Sequence, residues 1–466
     1  MSPEKKQKSV LEVDNQLLND ITELIHSKSE PLLKNILTDL HDFDISVIID
    51  NIEETEDAVY LFSLLSDETA SEVISELRDD RRDEILSQLS DEEITEIVDE
   101  MDSDDAADLV SELDEKVKDD VLQRLDTVDK EDSDEVRELL AYDENTAGGI
   151  MAKEFIAIHM NKTVSEAVVE IQEQAEDVDE LYNVWVVDDN NVLVGIISLK
   201  SIIMSLSTPA QKISEIMDPD VFSVNANVDQ EEVAKMFSSY DLISMPVVDS
   251  DNKVIGRISI DDVVDVIKEE HEEDVAMMVG SDAEELEKKS PFQVAKIRLP
   301  WILITLSLEM IVVFMIKSND AILEKVILLA AFMPIISAIS GNTGLQTASI
   351  VVRALDTGYI TLNNWFSSVK RQLVTTLIIG FVVGSLVTII GLLISNENRV
   401  AFGLTVGLSM FVSINVSGML GTVFPLISKK IGFDPAITSG PFATAFQDVV
   451  GISIFLSIAT YMLSQI

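Results

Sequence analysis

DPAITSGPFATAFQDVVG, Asp434 to Gly451, is the stretch on which the fold turns. It lies in an apolar segment running on to Ile466, and Asp448 is the only charged side chain after Pro435. A carboxylate about twelve residues into a span of roughly 20 sits near the middle of a bilayer. An acid at that depth is costly, and it faces either an aqueous path or a partner in a helix bundle. Gly440, Pro441 and Gly451 are points where the backbone can bend or approach another helix closely.

Outward from this stretch the chain changes character. Its 466 residues hold 84 acids, 33 bases and no cysteine. From Pro291 onward there are seven acids and ten bases, which leaves 77 acids and 23 bases ahead of it. A front of net −54 and a back of +3 are suited to two environments, water and membrane. Such a front repels nucleic acid, whereas carboxylate oxygens are the preferred ligands of hard divalent cations. Without cysteine, disulfides and thiolate metal sites are excluded. The start, MSPEKKQKSV, has no apolar core, so no signal peptide is expected.

Five spans follow Leu299: Leu299–Ile316, Val326–Val352, Leu373–Asn396, Val400–Ser428 and about Pro435–Ile466. The first carries one charge, Glu309. Lys296, Arg298, Arg353, Lys370, Arg371, Lys429 and Lys430 fall on one side, against Lys317, Lys325 and Arg399 on the other. The positive-inside rule puts the acidic front in the cytoplasm and Ile466 outside. In the second span Gly341-Asn342 and Gly344 predict an interrupted helix; close helix packing is the alternative.

The front is helical to residue 135. Leu65, Leu77, Leu89, Met101, Leu113 and Leu125 recur every 12 residues. Ser66-Asp67, Ser90-Asp91 and Ser103-Asp104 read as helix starts, and Ser90 with Glu93 as a capping box. Helices this short must stack into a superhelical array. Gly148-Gly149, in EVRELLAYDENTAGGIM (135–151), ends the pattern. Two copies of helix, strand, strand and helix follow, with hairpins around 189–191 and 250–252. They resemble a tandem CBS pair, the second copy, MPVVDSDNKVIGRISIDDVVDV, being the better match. In CBS modules the acid of G-x-x-S-x-x-D, here Gly256, Ser259 and Asp262, often meets a ribose. The first copy has Gly195 and Ser198 but Ser201 in the acid's place. An acidic helix, VIKEEHEEDVAMMVGSDAEELEKKS, then leads to the membrane, with His271 as a surface residue.

The order of parts resembles the MgtE family of magnesium channels. It runs from the helical front and the LLAY…TAGGIM joint through two CBS modules and DDVVDVI-KEE-HEED to RLPW, GNTGLQ and DPA…SGP…QDV. The resemblance implies four parts: an all-α superhelical N-domain (1–135), an α/β tandem CBS domain (136–268), a linking or plug helix (269–295) and a five-helix transmembrane domain (296–466). It implies a homodimer with a pore on its two-fold axis, importing Mg²⁺ and closed by cytosolic Mg²⁺. It places the pore carboxylate at Asp448, with Asn342 and Thr444 nearby. Sensor ligands fall at Glu231, Asp241, Asp262, Asp265, Glu270, Glu273 and Asp274. They face Glu72, Asp104 and Asp108 of the N-domain and the Gly149 carbonyl. ATP is a possible second ligand, at Gly256, Ser259 and Asp262. Three positions depart from the pattern: Gln372 for an acid, Gly440 for an asparagine, and Glu309 where no acid is expected.

The chemistry fits independently. Mg²⁺ takes oxygen ligands and gives up its waters reluctantly, so its pore should hold the hydrated ion through a few carboxylate, amide and carbonyl oxygens. Two unit charges about 4 Å apart repel by about 4 kcal/mol at an effective dielectric of about 20. A cation between acidic domains reverses that sign and favours a compact, closed state. Two other readings compete: a carrier of another divalent ion such as Co²⁺, and a membrane-anchored nucleotide sensor that transports nothing. No phosphate-cradling loop or nucleophile–base set points to an enzyme.

Overall fold

The computed structural model describes residues 13–175, 178, 181–283, 290–361, 364–395 and 398–463. The N-terminal MSPEKKQKSV, Asn396 and residues 464–466 at the ends of two expected spans, and residues 284–289 of the expected linking segment lie outside these. The chain divides into two compact units, Met1–Ile267 and Lys268–Ile466.

The described part of the first unit begins with ten helices, from α1 (Asn15–His26) to α10 (Lys130–Leu139), of eight to fourteen residues each. Helices this short are marginal alone, so their apolar faces must close on neighbours. They do so two along the chain: α3 (Asp42–Asn51) packs on α5 (Asp67–Ser75), α5 on α7 (Asp91–Asp99), and α7 on α9 (Glu115–Val128). The twelve-residue repeat marks this seam, with Leu77 and Leu125 buried and Leu65, Leu89, Met101 and Leu113 packed against the same core. Ser66 caps α5 by accepting from the Thr69 N–H, and Ser90 with Glu93 forms a capping box on α7. Ser103 opens α8 (Ser103–Glu112) as expected, with Asp102 at the N-cap, and its hydroxyl donates to Glu154 at 3.0 Å.

The two CBS copies repeat in detail. β1 (Ala157–His159) runs parallel to β2 (Asn183–Val187), which pairs antiparallel with β3 (Leu193–Ser198). β4 (Val224–Asn225), β5 (Ser244–Val248) and β6 (Val254–Ser259) do the same. α11 (Val164–Gln174) and α12 (Leu199–Ser205) flank the first sheet, α13 (Gln230–Tyr240) and α14 (Ile260–Val279) the second. Both hairpins turn on an asparagine at positive φ, Asn191 (62°) and Asn252 (61°), a conformation asparagine tolerates better than most residues. The first copy has its own core around Ile158, Val164 and Val186. Val233, Phe237, Val247 and Ile258 of the second copy instead share one continuous core with the N-terminal helices. The joint is stitched to that copy: Ala147 N–H donates to Val228 at 2.7 Å, and Gly148 N–H to Ala226 at 2.8 Å.

Among its described residues the second unit holds five helices long and apolar enough to cross a membrane. They are α15 (Pro291–Ser318), α17 (Leu328–Asp356), α18 (Trp365–Ile394), α19 (Arg399–Ile431) and a fifth made of α20 (Pro435–Ser439) and α21 (Pro441–Leu463). A short α16 (Asp320–Lys325) joins the first two. The core lies where α17, α19 and α21 meet, around Phe332, Ile336, Met410, Ile414 and Phe455. Gly384 and Gly391 of α18 meet Gly407 and Gly403 of α19, which brings those backbones together as small residues do in membranes. The boundaries expected after residues 135, 268 and 295 each fall inside a helix: α10, α14 and α15. Composition changes there, but the backbone hydrogen bonding continues across it.

Candidate functional site

The expected interruption of the second span is not there. α17 is one helix through Gly341, Asn342 and Gly344. The glycines serve close packing instead. A β-carbon on Gly344 would stand 1.9 Å from Gln447 Oε1, and one on Gly421 would stand 2.3 Å from the Gly344 carbonyl oxygen. In hydrocarbon an unbroken helix keeps every backbone group paired, and glycine lets a second and third helix close on it. The break falls in the fifth span, at Gly440-Pro441. Asp434 caps α20 by accepting from the Ala436 N–H at 2.6 Å, and Pro441 opens α21, where its missing N–H leaves no donor unpaired.

Past that break, α21 carries Thr444 and Asp448 on the side facing α17. A β-carbon on Gly341 would lie 3.5 Å from Asp448 Oδ1 and 3.6 Å from the Thr444 methyl. The Ser337 hydroxyl donates to Asp448 Oδ1 at 2.6 Å. Glu309, from α15, reaches Asp448 as a side-chain hydrogen-bond partner. Two acids and a hydroxyl from three helices thus converge in the apolar part of the bundle. Asn342 lies on the exposed surface of α17, and Gln372 is half-buried on α18. Next to Asp448, Gln447 is fully enclosed, and neither of its side-chain polar atoms has a partner. Ser337 was invisible in the sequence, because a serine in an apolar helix ordinarily bonds its own backbone.

At the break, the last turn of α14 lies against the fifth span. A β-carbon on Gly440 would come within 2.7 Å of the Met278 carbonyl oxygen and 3.1 Å of that of Met277. Gly280, at φ 74°, sits over the Pro441 ring and near Trp301.

The first unit gathers acids where α8 meets the start of α14. Asp104 is pushed well above the usual carboxylate range, first by burial and then by Asp262, Asp105, Asp102 and Glu154. Asp105 is raised to about 7 by burial and by Asp108, Asp262, Asp102 and Glu72. Asp105 keeps surface exposure, so its burial comes from a dense shell of neighbours rather than from full enclosure. Asp262 is raised by burial, against the lowering effect of bonds from Ser259, whose N–H donates at 3.0 Å and whose hydroxyl donates at 2.5 Å. Of the expected ligands, Glu72, Asp104, Asp108 and Asp262 therefore act on one another or on Asp105. Asp102, Asp105 and Glu154 join them unforeseen, and Arg257, 3.5 Å from Asp102, is the nearby cation.

Glu231 is ion-paired with Lys235, and Asp241 ends α13 in the left-handed region at φ 52°. Asp265 is exposed on α14, and Glu270, Glu273 and Asp274 lie further along it, as does the exposed His271. Gly149 sits in a turn where a β-carbon would strike the Asp143 carbonyl oxygen at 2.5 Å. Gly256 packs against Met151, and Asp262 accepts from the Ser259 N–H. Among the described residues no three His, Asp or Glu side chains form a ready metal cage. The acids are neighbours in charge rather than a closed coordination shell.

Known families match this architecture part by part. Residues 40–145 match the MgtE intracellular N domain, 147–208 and 213–269 the CBS domain, and 333–458 the MgtE divalent cation transporter domain. The magnesium transporter MgtE of Enterococcus faecalis is 34% identical over 71% of this chain and 72% of its own length. That of Thermus thermophilus is 30% identical over 71% and 73%. A crystal structure of the cytosolic domain of the Mg²⁺ channel MgtE in complex with ATP is 31% identical, covering 53% of this chain and 99% of that one, with a TM-score of 0.49. With the N domain, the CBS pair and five long apolar helices in this order, the chain belongs to the MgtE family of magnesium transporters.

Proposed function

We propose that two copies of this chain form a Mg²⁺ channel that imports magnesium and is closed by cytosolic Mg²⁺. The observation that carries it is Asp448, an acid held inside the bundle by Ser337 and opposite the bare backbone of Gly341. Carboxylate, hydroxyl and carbonyl oxygens suit a hydrated hard dication, and a chain without cysteine offers no thiolate to softer metals. Co²⁺ is the competing cargo, since the same oxygens hold it. Asn342 and Thr444 complete the pore lining in this reading, and the loop charges put the C-terminus outside.

The closing device is the acidic first unit with α14. Glu72, Asp104, Asp108 and Asp262 repel until a cation lies among them, with Asp265, Glu270, Glu273, Asp274, Glu231, Asp241 and the Gly149 carbonyl as further ligands. Closure reaches the pore through the last turn of α14, which rests on Gly440 and Pro441. The exposed apolar residues Ile203 and Met204 on α12, Leu206 just past its end, and Val264 and Ile267 on α14 form a face for the second copy. ATP binds the CBS pair as an accessory ligand beside Ser259 and Asp262. Ion flux into liposomes at controlled internal Mg²⁺ tests the whole reading. Flux that is absent, or flat against internal Mg²⁺, overturns it.

A further inference from the structure

Glu309 is the one charged side chain in the apolar length of α15, the first span. This helix buries little of itself within the unit, and Val312 is its only buried residue among those described. Packing gives no reason for an acid there, since an apolar side chain would serve better in either lipid or protein. Glu309 nevertheless turns inward and meets Asp448. Ser337 donates to one oxygen of Asp448, Oδ1, and brings no positive charge. Arg298 and Lys296, on the same helix, stand about three and nearly four turns before Glu309. Two carboxylates at one point in low dielectric repel strongly, and a dication between them reverses the sign.

We propose that Glu309 supplies a second carboxylate to the cation path at Asp448. Two copies then present four carboxylates to the path rather than the two of Asp448 alone, a charge density that favours a divalent over a monovalent ion. This rests on the reading of Asp448 as the pore carboxylate. Glu309 acts on selectivity: it raises the affinity of the path for dications relative to monovalent ions. It comes from a different helix than Thr444 and Asn342, so its presence depends on α15 lying against α21. No other acid lies within the apolar length of the five spans, which makes the pair the only such charge the membrane part holds.

The test uses the full-length protein in planar bilayers, with a Na⁺ current recorded in chelator and Mg²⁺ added back as a blocker. In Glu309→Gln, which keeps the shape and removes the charge, the half-blocking Mg²⁺ concentration should rise about tenfold or more. Glu309→Asp, which keeps the charge, should return it to within about threefold of wild type, a recovery that a merely structural role does not give. Unchanged block in Glu309→Gln, with Asp448→Asn shifted strongly, overturns this inference and leaves the pore reading standing. Unchanged block in Asp448→Asn as well means that the pore reading itself has failed. Should Glu309→Gln not assemble, Glu309→Asp and Glu309→His carry the comparison: block as in wild type with histidine there overturns the inference.

Discussion

The Met278 carbonyl oxygen leaves no room for a side chain on Gly440: a β-carbon there would lie 2.7 Å away. α14 grows out of the sheet of the second CBS copy, and Gly440 marks the break in the fifth span, eight residues before Asp448. Backbone is pressed on backbone, so the contact resolves a displacement of a few tenths of an ångström. Gly440→Ala should hold the last turn of α14 off the span. Single-channel open probability at millimolar internal Mg²⁺ should rise several-fold, with conductance unaltered. An inhibition curve superimposable on wild type would sink the idea that this contact closes the pore.

Asp448→Ala should abolish Mg²⁺ uptake in a protein that still inserts and assembles, and Asp448→Asn should impair it by removing the charge that attracts a dication. Uptake by proteoliposomes, with assembly followed by size-exclusion chromatography, measures both. Wild-type flux in a well-folded alanine variant excludes Asp448 from permeation.

Gly344→Ala should destabilise the membrane unit. Its methyl group would stand 1.9 Å from Gln447 Oε1, and Gln447 is fully enclosed. Overpacking of this kind costs about 1–3 kcal/mol. Thermal melts in detergent should shift downward, and pairing the change with Gln447→Ala should recover most of the loss. A melt unchanged by Gly344→Ala would mean that the three helices are not packed this tightly.

The acids of the first unit make its stability depend on pH. Asp105 and Glu135 are raised to about 7 and Asp132 to about 6, each by burial first and neighbouring carboxylates second. A carboxyl with a folded pKa above its unfolded value binds more protons folded than unfolded. Its stabilising effect is then complete near pH 4 and is lost as pH climbs to about 7. Without divalent cations, the melting temperature of the cytosolic part should therefore fall between pH 5 and pH 8. Millimolar Mg²⁺, by taking the place of the protons, should raise it far more at pH 8 than at pH 5. A Mg²⁺ effect of equal size at both pH values would contradict this.

Much of the architecture is a matter of local spacing and was legible without coordinates. The leucine repeat at intervals of 12 needs only neighbouring turns to be read, and the structure stacks those helices along it. The hairpins around Asn191 and Asn252 follow from turn chemistry between two alternating runs. Five spans follow from length and apolarity, and Asp448 stands out because charge is scarce there. All of these depend on residues close together in the chain.

What only the tertiary structure decided are relations between residues far apart in the chain. Gly341 and Gly344 read as an interruption, yet they are seats for α21 and α19, since glycine breaks a helix in water but admits a neighbour in a bundle. Ser337 and Glu309 gain their meaning from Asp448, more than a hundred residues on, and no periodicity in α15 or α17 announces it. Asp105 gains its raised affinity for a proton from burial first, then from Asp108 and from Asp262, across a core that joins the N-terminal helices to one CBS copy alone. The sequence by itself determined the elements and where charge is scarce or dense. Packing determined which charges meet, because the energy of a carboxylate depends on what lies a few ångströms away rather than on its place in the chain.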